Sequence, residues 1–207
     1  MPRINFENIQ FFGDAEIYFW HIEESCKELS ELIADNGLSL AEAEAKFKSP
    51  DRQREWIAVR ALLQNTPYKG KRIRYNSNGK PYLADSIKHI SISHTQGFVA
   101  IAFSNTPIGI DIESTNRKAH AVIRSFLQSQ EIEMLNENPD TSNEALRLWS
   151  AKEAAFKLAS DKVSVLKEIG ITKNANSYTV TYPDGGISEC HSCIYGDIVI
   201  SVATSNH

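Results

Sequence analysis

The chain has few cysteines and no apolar run near the length of a membrane span, which leaves no helical segment that could cross a bilayer. Only three cysteines occur in 207 residues: Cys26, Cys190 and Cys193. Cys190-His-Ser-Cys193 has the spacing of a zinc or redox pair. No second ligand pair accompanies it, and no thioredoxin-like strand–helix context surrounds it. It falls in a stretch that reads as strand, where positions i and i+3 point to opposite faces, so no metal or redox role is assigned to it. The opening Met-Pro-Arg-Ile-Asn-Phe-Glu-Asn lacks the apolar core of a signal peptide, so a cytoplasmic protein with reduced thiols is expected. A Gly-rich phosphate loop of the strand-to-helix kind is also missing. Hydrophobic residues at 42% and charged residues at 23% are ordinary for a globular chain of one large or two small domains.

The net charge of −4 is unevenly spread. Between Lys46 and Lys88 lie 11 of the 22 basic residues and only three acids, Asp51, Glu55 and Asp85, so this segment carries about +8 and the remainder about −12. A basic block inside an acidic chain reads either as a local anion site or as a solvated lysine-rich surface. Neither nucleic-acid nor membrane binding is expected from it.

Apolar spacing predicts a helix over Ile22–Asp35, ended by Gly37. Ser39 and Glu42 form a capping box for a short helix through Phe47. Ser49 caps a longer helix to about Gln64, with Pro50 at its first position. Short strands follow at Lys71–Tyr75, Tyr82–Ala84, His89–Ser93, Phe98–Phe103 and Ile108–Glu113. Helical stretches are predicted around Ala119–Leu127 and from Ser129, the latter stopped by Pro139. Thr141 and Glu144 form a capping box for the long helix that carries Trp149 to Leu158. Strands return at Glu168–Thr172, Tyr178–Tyr182, Ile187–Tyr195 and Ile198–Thr204. The order of a long helix followed by several strands thus occurs twice. It predicts an α+β fold of two similar halves, 1–106 and 107–207, with a site between them.

Three patterns can carry chemistry. In Gly109-Ile-Asp111-Ile-Glu113 the isoleucines share one strand face, which must be buried, and the two carboxylates share the other. Side by side they repel unless a cation or a basic partner lies between them, and such oxygen ligands suit Mg²⁺; an exposed face with two solvated acids is the plainer alternative. In Ile90-Ser-Ile-Ser93-His94 the serines face away from the isoleucines, and Ser93 and His94 can donate to a phosphate. On the last helix Trp149, Glu153 and Lys157 stack at four-residue intervals, as a catalytic pair beside an aromatic or as an ordinary surface ion pair.

Gly109-Ile-Asp-Ile-Glu113 followed by Trp149-x-x-Lys152-Glu153-x-x-x-Lys157 resembles the two signature motifs of the 4′-phosphopantetheinyl transferases. Asn78-Gly-Lys80-Pro81 and Ile92-Ser93-His94 resemble the family's two upstream motifs, in the same order. The likeness spans Arg52 to Leu158, and two halves in one chain resemble the surfactin-synthetase-type subfamily. The resemblance implies two α+β halves related by a pseudo-two-fold axis, with the active site at their interface and a monomer expected. It implies transfer of the 4′-phosphopantetheine arm of coenzyme A to a serine of an apo acyl or peptidyl carrier protein, with release of adenosine 3′,5′-bisphosphate. Asp111, Glu113 and Glu153 would hold Mg²⁺, and Glu153, directly or through water, would help deprotonate the serine. Lys157 would meet the leaving phosphate. Lys80, Ser93 and His94 would contact coenzyme A phosphates, with Arg54 and Arg60 as further candidates. In this division the first half contacts coenzyme A and the second carries metal and catalysis. Carriers of fatty-acid biosynthesis, polyketide and nonribosomal-peptide assembly all fit. A non-catalytic coenzyme A or carrier-binding module, or a Mg²⁺-dependent hydrolase of nucleotide diphosphates, would carry similar residues.

Overall fold

A computed structural model of the chain describes residues 14–34, 39–117, 122–137, 140–159, 162–174 and 177–205, and the backbone of 6–10. The fold is α+β, in two compact units: 1–75 with 81–105, and 76–80 with 106–207.

Strands β1 (Phe6–Gln10) and β2 (Glu16–His21) open the first unit, ahead of any predicted element. Ile17, Tyr18, Phe19 and Trp20 of β2 are all buried, so the strand is covered on both faces and shows no apolar–polar alternation. Helix α1 (Cys26–Ile33) starts later than its apolar spacing suggests. Ser25 caps it, with the Glu28 carboxylate accepting the Ser25 backbone N–H at 2.8 Å, while Ile22 donates its N–H to Gly97 O, 2.7 Å. Gly37 lies outside the described residues. Helix α2 (Leu40–Lys46) has the expected box, Glu42 accepting from Ser39 N at 3.1 Å. Helix α3 (Pro50–Gln64) runs as predicted, from Ser49 at its cap and Pro50 at its first position. Its Ile57, Ala58, Ala61 and Leu62 join Trp20, Ile101 and Phe103 in the core of this unit. The hairpin arms β3 (Ile73–Tyr75) and β4 (Pro81–Leu83) follow, then β5 (His89–Thr95) and β6 (Phe98–Ser104). The sheet order is β1-β2-β6-β5, antiparallel throughout.

The second unit begins with β7 (Ile108–Ser114), followed by α4 (Ile123–Phe126), α5 (Ser129–Asn136) and α6 (Thr141–Ala159). Ala119 and Pro139 lie outside the described residues. Two predicted caps move by one residue. Gln128, not Ser129, caps α5, because Glu131 reaches back to the Gln128 N–H at 2.6 Å. Asp140, not Thr141, precedes α6; its Oδ1 accepts from Asn143 N at 3.3 Å. Glu144 leaves the expected box because it is drawn inward, accepting from Tyr178 Oη at 3.0 Å and pairing with Lys173 at 2.8 Å. A 3₁₀ turn at Leu166–Glu168 replaces the start of the strand expected there. Strands β8 (Gly170–Lys173), β9 (Tyr178–Thr181), β10 (Ile187–Tyr195) and β11 (Ile198–Ser205) complete an antiparallel sheet of order β7-β11-β10-β9-β8. All three cysteines are free thiols.

One connectivity occurs in both units. In the first, the strand before the helices (β2) pairs with the last strand (β6), which pairs with the one before it (β5). In the second, β7, β11 and β10 repeat that order. The long helix of each unit packs on the corresponding first and last strands: α3 on β2 and β6, α6 on β7 and β11.

Candidate active site

The carboxylates of β7 are not on an open face. Asp111 and Glu113 are each 5% exposed, because α6 lies across their side of the sheet. Gly109 permits that approach: a Cβ there would stand 2.0 Å from Ala154 O and 2.8 Å from Leu158 N. Two acids buried together need cationic or N–H partners. Lys157 Nζ lies 2.8 Å from Asp111 Oδ1 and donates to Ile110 O at 2.9 Å. Glu113 pairs with Arg117 and accepts from Trp149 Nε1 at 2.7 Å. Trp149 is fixed in turn by an edge-on contact with Phe126, centroids 4.9 Å apart, and by the Arg117 guanidinium 4.5 Å from its ring. The i,i+4 spacing of Glu153 and Lys157 thus does not describe Lys157's main ion pair, which reaches across to the strand.

Glu153 completes the group. Its carboxyl is held above the ordinary glutamate range by burial first, then by the charge of Asp111, with Lys157 opposing and Glu113 adding to the rise. Glu113 is also raised, by burial against the pull of Arg117, with Asp111 contributing. Three carboxylates from two elements therefore share one electrostatic neighbourhood. Among the described residues, no group of three or more His, Cys, Asp or Glu is drawn together tightly enough to hold a metal as it stands. The donor chemistry nevertheless fits a hard divalent cation: the ligands are all oxygen, and their mutual repulsion is what such an ion relieves.

A carboxyl raised on folding binds its proton more tightly in the native state. Its ionisation costs stability as pH rises from the ordinary glutamate range through the raised value. Glu153→Gln is therefore expected to raise the Tm of the metal-free chain by a few degrees at neutral pH and to lose that advantage in acid. Calorimetry across pH checks this; a gain that persists unchanged below the ordinary glutamate range contradicts it.

Lys152, quoted in the helix motif without a role, is the residue whose place the sequence hid. It is fully buried. Its Nζ donates to Phe126 O at 2.8 Å and Ile169 O at 2.7 Å, and it pairs with Glu131 Oε2 at 2.7 Å. Glu131 Oε1 takes the Ile171 N–H at 2.8 Å. The ammonium thus ties α6 to α5, to the end of α4 and to Ile169 just before β8. Lys152→Ala strands the Glu131 charge and is expected to cost about 3–5 kcal/mol. Combined with Glu131→Gln the two losses should overlap by about 2 kcal/mol in a denaturation cycle; strict additivity would contradict the pairing. Arg117 was also missed, although its position four residues after Glu113 was a usable signal.

Lys80 belongs to the second unit too and donates to Leu158 O at 3.1 Å, next to Lys157 at the C-terminal end of α6, where a cation is favoured. The remaining site candidates lie in the first unit. Ser93 is buried, at 4% exposure, on a strand face expected to be open, as is Ser91; His94 is exposed. Arg60 is buried and stacked on Trp56 at 3.4 Å, donating to Trp56 O at 2.9 Å. Burial lowers its pKa. Arg54 Nε is buried with no hydrogen-bond partner. The basic segment contributes Arg60, Lys71, Arg72 and Arg74 to one cavity of this unit.

Residues 107–203 match the family model of the 4′-phosphopantetheinyl transferase superfamily. The chain is 31% identical over 133 residues to 4′-phosphopantetheinyl transferase gsp of Aneurinibacillus migulanus, covering 62% of this chain and 55% of that protein. It is 34% identical over 90 residues to 4′-phosphopantetheinyl transferase Sfp of Bacillus subtilis strain 168, covering 41% and 40%. The matched stretches thus span about half the length of these curated relatives. A solved holo-[acyl-carrier-protein] synthase from Thermotoga maritima superposes with a TM-score of 0.44 at 12% identity, over 49% of this chain and 64% of that one, a likeness too loose to carry an argument. Residues 107–203 are thus similar to the 4′-phosphopantetheinyl transferase superfamily, and the chain's curated likenesses include the Sfp type.

Proposed function

We propose that the chain transfers the 4′-phosphopantetheine moiety of coenzyme A to a serine of an apo acyl or peptidyl carrier protein. The observation that carries this reading is the convergence of Glu153, from α6, with Asp111 and Glu113, from β7, where burial and the charges of Asp111 and Glu113 hold the Glu153 carboxyl above its ordinary range. Asp111, Glu113 and Glu153 would hold Mg²⁺, which when bound clamps a diphosphate and offsets charge on the leaving group.

The chain's own groups supply the rest. Glu153, with its raised pKa, is suited to take the proton of the incoming serine hydroxyl. The serine oxygen bonds to the phosphorus bearing pantetheine, and the bond from that phosphorus to the bridging oxygen breaks. Adenosine 3′,5′-bisphosphate leaves with the bonding pair. Lys157, now shared between Asp111 and Ile110 O, would offer its ammonium to that leaving phosphate as a charge or a proton. Trp149 and Arg117 hold Glu113 in position. Lys80, Ser93, His94, Arg54 and Arg60 are assigned to coenzyme A phosphates, His94 with the fewest obstacles because it is exposed. The free thiols agree with a cytoplasmic setting, and two units in one chain agree with a monomer.

The test is chromatographic. With coenzyme A and Mg²⁺, adenosine 3′,5′-bisphosphate should form only when an apo carrier protein is added, in equimolar amount to the carrier consumed. Release without any carrier would identify a hydrolase and overturn the proposal.

A further inference from the structure

A cavity of about 110 Å³ in the first unit has aromatic walls, Phe47, Trp56 and Tyr75, and a charged rim, Arg52, Glu55 and His94. The three rim residues contact one another. Arg52 Nη1 lies 3.0 Å from Glu55 Oε2 and 2.5 Å from His94 Nε2. His94 Nδ1 lies 3.3 Å from the same Glu55 oxygen. Arg52 Nη1 also lies 3.1 Å from His94 Nδ1, so the guanidinium stands against the edge of the ring that carries both nitrogens. The Glu55 side chain is 18% exposed, against 52% for Arg52 and 38% for His94, so the carboxylate is the most enclosed of the three.

We propose that Glu55 is a built-in competitor for the anion that Arg52 and His94 can take, and so sets how strongly this unit favours a coenzyme that carries the ribose 3′-phosphate. The proposal rests on the transferase reading, in which His94 meets a coenzyme A phosphate. A carboxylate and a phosphate seek the same donors, a guanidinium and an imidazole N–H. They cannot share them at contact distance, because like charges there repel. A phosphate entering the rim must therefore displace the Glu55 carboxylate. Once displaced, the cavity keeps a second cation, Arg60, stacked on the Trp56 wall. The basic segment thus carries its own brake: of its three acids, Glu55 is the one placed on two of the bases that a phosphate would use.

The experiment is calorimetric titration of the full chain with coenzyme A, dephospho-coenzyme A (which lacks the 3′-phosphate) and adenosine 3′,5′-bisphosphate. The wild type is compared with Glu55→Gln, Arg52→Gln and the double variant, with melting curves to establish that each is folded. Glu55→Gln is expected to bind coenzyme A and the bisphosphate about five- to tenfold tighter, with dephospho-coenzyme A unchanged. In the Arg52→Gln background the gain from Glu55→Gln should shrink to about twofold or less. Unchanged or weaker coenzyme A binding by Glu55→Gln, or an equal gain for dephospho-coenzyme A, overturns the proposal while leaving the transferase reading intact. If the wild type binds neither coenzyme, the transferase reading fails, and the bisphosphate titration of Glu55→Gln still decides whether the carboxylate competes with a phosphate.

Discussion

Glu153→Gln is expected to lower phosphopantetheine transfer by about 1,000-fold or more while the chain stays folded. The amide keeps the shape of the side chain and cannot serve as an anionic ligand or accept the serine proton, so two contributions are lost together. Removing a charge that burial and Asp111 both disfavour should not harm the fold. Asp111→Ala is expected to match it in activity for a different reason: it frees Lys157 of its 2.8 Å partner as well as removing a ligand. Single-turnover transfer, read with a melting curve of each variant, separates the two effects. Transfer by Glu153→Gln within about tenfold of the wild type would place the proton acceptor and the metal elsewhere.

Gly109→Ala should be the most damaging single-methyl change in the second unit. A methyl group at this position meets the backbone of α6, Ala154 O at 2.0 Å and Leu158 N at 2.8 Å, and backbone cannot rotate away as a side-chain tip can. Either α6 lifts from β7 or the strand bends, at an expected cost of about 3 kcal/mol or more and a Tm fall of roughly 10 °C. Both responses move Glu153 and Lys157 relative to Asp111, so activity should fall along with stability. A Tm within about 1 °C of the wild type would mean that the helix does not press on Gly109.

How much of this was legible in the sequence depended on whether a residue's role was local. Ser49-Pro50 marks the start of α3 because both residues act on the adjacent backbone. Strand β7 was legible because Ile-x-Ile-x-Ile and Gly-x-Asp-x-Glu alternate at period two. What covers the carboxylate face was not legible, because the packing of α6 on Gly109 is a contact between residues 45 positions apart. Strand β2 was missed because burial of both its faces erases the alternation. Thr141 and Glu144 imitate a capping box, but Glu144 is claimed by Tyr178 and Lys173, a tertiary demand that outweighs the local one. Lys152 shows the limit most plainly. Beside Glu153 in the sequence, it reads as another polar residue of the helix, yet its ammonium is fully buried among carbonyls of Phe126 and Ile169 and the Glu131 carboxylate. Nothing within one turn of the helix marks it as a pin.

The measurement that bears most directly on the proposed activity is the intact mass of a purified apo carrier protein after incubation with the wild-type chain, coenzyme A and Mg²⁺. The expected result is a gain equal to one phosphopantetheine arm, mapped to a single serine and absent when Glu153→Gln replaces the wild type. An unchanged mass with fatty-acid, polyketide and nonribosomal-peptide carriers alike would contradict the assignment.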